Sequence, residues 1–115
     1  MDGPLIDLAY LERFCKGDRS RMLKYIQMYL HGAPGLFAKL KELLSTGDNE
    51  GLAVAAHSLR PQVNYRGAQR IFDLLTLIED RARTHGATAC PAQVDEALGL
   101  NELVMTELRA QLGHQ

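Results

Sequence analysis

Apolar residues recur at three- and four-residue intervals along most of the chain, and this spacing predicts helices rather than strands. Stepped at about 100° per residue, Leu52, Ala55, Ala56, Leu59 and Val63 fall in one narrow stripe, as in a helix that buries one side. Ile71, Leu74, Leu75, Ile78 and Ala82 do the same within Gly67 to Arg83. Val94, Leu98, Met105, Leu108 and Leu112 repeat the pattern from Pro91 to Leu112, with Asn101 as a polar interruption. The stretch from Met22 to Leu44 contains Gly32, Pro34 and Gly35, yet Met22, Ile26, Tyr29, Leu30, Ala33, Phe37, Leu40 and Leu44 stay in one stripe across them. Two unrelated helices would lose that phase, so one long helix bent at the proline is expected.

Turn signals at Gly17-Asp18, Gly47-Asp48, Gly67 and Gly86 to Pro91 separate these segments. Asp18 and Asp48 each follow a glycine and precede a periodic run, where a short carboxylate accepts the orphan amide protons of a new helix. Short links favour antiparallel neighbours. The expected architecture is therefore all-α: an up-down-up-down four-helix bundle, with a short capping helix in Leu5 to Cys15. At 115 residues the whole chain, 1–115, is expected to be a single domain.

Composition narrows the function. Apolar residues make up 46% of the chain and charged residues 23%, which suits a globular core. The formal net charge of -1 and the scattered basic residues argue against a nucleic-acid partner. Cys15 and Cys90 have no ligand or disulfide-framework spacing, so reduced thiols are expected. The N-terminus lacks a secretory pattern and no stretch is apolar enough to span a membrane, which leads to the expectation of a cytoplasmic, stand-alone and monomeric protein.

Phosphate-cradling glycine motifs are absent, so the chain is not expected to bind ATP or act as a kinase. His31, His57, His85 and His114 lie on different elements or ends, without the spacing of a zinc site. Ser58 adjoins His57 but points about 100° away around the helix, so the two cannot pair as nucleophile and base. His31, His85 and His114 read as surface residues. Lys39, Lys41, Glu42, Arg81 and Arg83 read as solvated positions.

His57 is different. It lies about 140° from the apolar stripe of its own helix. Ala53 and Pro61 sit one turn before and after it, with Arg60 and Asn64 beside them. An exposed imidazole over small residues, with a cation at hand, can itself be a nucleophile toward a phosphoryl group, because the neutral ring nitrogen dominates at ordinary pH.

The run Ala56-His57-Ser58-Leu59-Arg60, followed by Tyr65-Arg66-Gly67-Ala68 and a helix carrying Leu74-Leu75 and Ile78-Glu79, resembles a histidine-containing phosphotransfer (HPt) domain of two-component phosphorelays. The upstream helix ending in Leu40 to Asp48 and the two downstream helices also match that family's layout, over nearly the whole chain. The resemblance implies a phosphocarrier rather than an enzyme. His57 would be the phosphoacceptor, and Arg60, the counterpart of the family's usual lysine three residues later, would offset the charge of the phosphoryl group. Asn64 or Glu79 would position the phosphoryl group, and Ala53, Val54 and Pro61 would form the partner-docking surface. Pro61 departs from the glycine usual at that place. It removes the amide that would bond the carbonyl of His57, so the docking geometry is where this chain is expected to differ. Implied partners are response-regulator receiver domains or a hybrid sensor histidine kinase. The receiver would bring Mg²⁺, and the chain needs no cofactor of its own. Two other readings stay open at this level: a helical adaptor that binds without being phosphorylated, and a receiver phosphatase that orients water through Gln62 or Asn64.

Overall fold

A computed structural model describes residues 4–113. The described chain is all-helical, with α1 (Ala9–Phe14), α2 (Arg19–Thr46), α3 (Asn49–Tyr65), α4 (Gln69–His85) and α5 (Pro91–Leu112) joined by short turns. Helices α2 to α5 form an antiparallel four-helix bundle in which each packs on the next and α5 closes against α2. The α3–α4 pair is the most extensive of these contacts. The capping helix α1 is shorter than the expected Leu5 to Cys15 segment, and it packs on α2.

Helix boundaries follow local chemistry. Asp18 accepts a hydrogen bond from the amide of Arg21 at 3.2 Å, and Asp48 from the amide of Gly51 at 2.8 Å, so both are N-caps. Gly47 ends α2 in the left-handed region with φ 70°, which lets the amide of Asp48 reach back to the carbonyl of Leu43 at 3.1 Å. Helix α2 runs unbroken through Pro34, as its apolar phase predicts. Proline at the first position of α5 fits there because that amide would be unpaired in any case.

The buried apolar residues form one cluster running the length of the bundle, including Ile26, Leu40, Leu52, Leu59, Leu75, Ile78, Met105 and Leu108. Asn101, a polar interruption in the sequence, is buried within it, where its Oδ1 accepts a hydrogen bond from the hydroxyl of Tyr29 at 2.5 Å. Burial pushes that hydroxyl well above its ordinary ionisation range, and nearby Arg66 only partly opposes this. Arg66 is itself buried. Its guanidinium lies 5.1 Å from the Tyr29 ring centroid and donates to the carbonyls of Tyr25, at 2.7 Å, and Gln62, at 3.1 Å. These bonds tie the end of α3 to α2 and leave only Nε of the guanidinium without a partner.

Gly67 turns the chain from α3 into α4 with φ 68°, and a Cβ there would stand 1.9 Å from the carbonyl oxygen of Asp7. Glycine is required on both counts. The N-terminal segment that crosses it is held at its other end by the Glu107 carboxylate, which accepts from the amides of Leu5 and Ile6. His114, expected at the surface, lies outside the described residues.

Candidate functional site

The site lies along one edge of the α3–α4 seam. On α3 the buried arc covers Leu52, Ala53, Ala56, Leu59 and Val63, and His57 stands just outside it with 63% of its side chain exposed. On α4, Ile71, Leu75, Ile78 and Ala82 face inward, and Glu79 occupies the next position around the helix. Two antiparallel helices that share a buried face place such flanking residues opposite each other.

Glu79 is the centre of the arrangement. Both of its carboxylate oxygens lie 3.1 Å from Nδ1 of His57. Arg60 donates from Nη1 to Oε1 at 3.1 Å, and Arg83 donates from Nη1 to Oε2 at 2.5 Å. Arg83 also donates from Nε to Oε1 of Glu50 at 3.4 Å. Glu79 is far from the ordinary solvated glutamate, with only 12% of its side chain exposed. Burial works against its charged form, but hydrogen bonds from His57, Arg83 and Arg60 outweigh that cost and hold its carboxyl below the usual value. An ionised carboxylate only accepts. Nδ1 of His57 therefore carries the proton, and Nε2 of the neutral ring keeps a free lone pair.

Nε2 points away from Glu79 and has no partner among the described residues. What the geometry offers is a nucleophilic nitrogen on an exposed ring, with a fixed tautomer and an adjacent carboxylate to offset charge on the ring. The described residues contain no group of three or more His, Cys, Asp or Glu side chains able to hold a metal ion. No described helix is long and apolar enough to cross a membrane.

Several sequence-derived expectations change. Ala53, expected on the exposed docking surface, is fully buried. The buried arc of α3 is wider than a single stripe because two neighbouring helices cover it. Val54 and Pro61 are exposed as expected. Asn64 is also exposed, but it stands seven residues beyond His57, about 10 Å further along the helix axis, and it is not part of the Glu79 cluster. Arg81, read as solvated, donates from Nε to the carbonyl of Ala89 at 3.0 Å and braces the turn before α5. Arg83, read the same way, belongs to the cluster. Its i,i+4 spacing from Glu79 was a usable signal, whereas its contact with Glu50 depends on helix register.

Beyond Pro61 lies a groove of about 210 Å³, walled in part by Phe14, Tyr25, Met28 and Tyr65. Edge-to-face contacts of Tyr65 with Tyr10, at 5.2 Å, and with Phe14, at 5.6 Å, pin α1 to the end of α3 beside it. The sequence reading missed this groove, because α1 contributes to it from a distant part of the chain.

Residues 24–113 match the family model described as Hpt domain. No curated protein and no solved structure matches the chain.

Proposed function

Because the chain belongs to the Hpt domain family, the histidine phosphotransfer modules of two-component phosphorelays, we propose that it carries a phosphoryl group on Nε2 of His57 between aspartates of response-regulator receiver domains or a hybrid sensor kinase. The observation that carries this reading is the pairing of an exposed His57 ring with the Glu79 carboxylate through Nδ1.

In the forward step the Nε2 lone pair attacks phosphorus of an aspartyl phosphate, the bond from phosphorus to the acyl oxygen breaks, and the aspartate carboxylate leaves. Nδ1 keeps its proton, so the ring becomes cationic as the new bond forms. Glu79 offsets that charge, much as a carboxylate supports an imidazolium in hydrolase triads. Arginines 60 and 83 keep Glu79 ionised and oriented. In the exchange the receiver supplies Mg²⁺ and most of the catalytic machinery. Cytoplasmic location and a monomeric state accord with this role.

Val54, Pro61 and Asn64, with the aromatic groove beyond Pro61, form the docking face in this reading. An exchange partner has to leave as readily as it arrives, so the interface is expected at the low end of the size range, below about 1,200 Å² in total.

Transfer from a panel of radiolabelled phospho-receivers to the protein and to its His57→Gln variant tests the proposal. Acid-labile, alkali-stable label on the parent alone supports a histidine carrier. No label from receivers of proven activity overturns it in favour of an adaptor, and loss of receiver phosphate without capture would identify a phosphatase.

A further inference from the structure

We propose that Arg83, and not Arg60, is the cation that meets the phosphoryl group on His57, while Arg60 is a positioning residue that holds Glu79. The inference rests on the carrier reading above and divides the work between two arginines that bind the same carboxylate.

Arg60 is committed inward. Only 28% of its side chain is exposed, and its guanidinium lies 5.0 Å from the Phe72 ring centroid while donating to Glu79. Its Nη1 is held by Glu79 and its Nε is buried without a partner, which leaves only Nη2 of its fork open to an anion. Swinging the group out would break the stack on Phe72 and remove one of the three donors that keep Glu79 ionised.

Arg83 is placed to move. Its side chain is 43% exposed, and its contact with Glu50 is a long one to a carboxylate that is itself 70% exposed. Exposed pairs of this kind contribute little to stability and exchange easily. Its Nη2 has no partner among the described residues, which leaves a donor for an anion while Nη1 stays on Glu79.

Direction favours the same residue. Side chains on a helix lean toward its N-terminus, so the imidazole of His57 leans toward the start of α3. Helix α4 runs antiparallel, so Arg83 lies on the side of Glu79 that faces the start of α3, as its contact with Glu50 shows. A dianionic phosphoryl group there can draw Arg83 from Glu50 without uncovering any buried group. Arginine's planar fork then offers two donors to the phosphoryl oxygens.

The test charges the folded protein with phosphoramidate, whose nitrogen–phosphorus bond breaks as Nε2 bonds phosphorus and ammonia leaves. The second ionisation of the phosphohistidine is then followed by ³¹P NMR at about 0.5 M salt, where only charges in contact remain unscreened. The parent is compared with Arg83→Gln and with Arg60→Met, which keeps an apolar stem against Phe72. Arg83→Gln should raise that ionisation by about half a pH unit, and Arg83→Lys should restore most of the difference. Arg60→Met should leave it nearly unchanged while shifting the imidazole Nδ1–H resonance. A shift in Arg60→Met equal to or larger than that in Arg83→Gln overturns the assignment, as does no shift in Arg83→Gln. Failure of the parent to accept label from any phospho-receiver would remove the carrier reading but not the Arg83 result. If phosphoramidate leaves His57 uncharged, an active phospho-receiver with Mg²⁺ charges it for the same comparison, and failure of both donors would remove the carrier reading and the Arg83 assignment together.

Discussion

Nδ1 of His57 on α3 lies 3.1 Å from both carboxylate oxygens of Glu79, a residue twenty-two positions later on α4. The contact decides which ring nitrogen is free to react. It also ties the chemistry of the site to the bundle, because any change in α3–α4 register would part the two side chains.

Replacing Glu79 by glutamine should therefore slow phosphoryl transfer by about tenfold while leaving His57 exposed. The pH dependence of stability gives an independent check. The carboxyl of Glu79 is held below its ordinary value of 4.5, so its contribution is fully present above that pH and is lost as pH falls through the lower folded value. Melting temperatures of the parent and Glu79→Gln should differ at about pH 7 and converge toward about pH 3. A gap that stays constant over this range would mean that the charge of Glu79 is not what stabilises the cluster.

Ala53 and Val54 are neighbours in sequence with opposite environments. Ala53 is fully buried, so Ala53→Leu should overpack the core around α3 and cost about 1 to 3 kcal/mol in urea denaturation. Val54 is 49% exposed, so Val54→Asp should stay within about 0.5 kcal/mol of the parent and instead slow label uptake from phospho-receivers. Equal stability losses for the two variants would contradict the burial difference; unchanged uptake in Val54→Asp would remove that residue from the docking face.

Pro61 lies inside α3 and cannot donate to the carbonyl of His57, so the helix loses a bond beside the reactive side chain. Pro61→Ala should restore that bond and raise stability by about 1 kcal/mol net, after allowing for the greater freedom of the unfolded chain. Equilibrium denaturation measures the gain. A net loss would show that the proline ring contributes more by walling the aromatic groove than its missing amide costs.

The helices were legible because periodicity and capping are local. The stripe from Met22 to Leu44 keeps its phase through Gly32, Pro34 and Gly35, and α2 is continuous there. Asp18 and Asp48 stand before apolar runs, and both cap helices. Partner assignments across the bundle were not local. Arg66 stands in the sequence only as part of the run Tyr65 to Ala68, yet it is buried against Tyr29, and Asn101 reads as a break in a stripe although it completes a hydrogen bond in the core.

The sequence by itself determined where α2, α3 and α5 begin, which stripe each buries and that His57 stands outside that stripe, since these follow from a residue's position within its own helix. Only the tertiary structure decided that Ala53 is covered, that Arg60 is held against Phe72, and that Arg83 and Glu50 join Glu79 beside the histidine. Those outcomes depend on the register and spacing of α3 against α4, which packing of the two buried faces sets and a single helix does not encode.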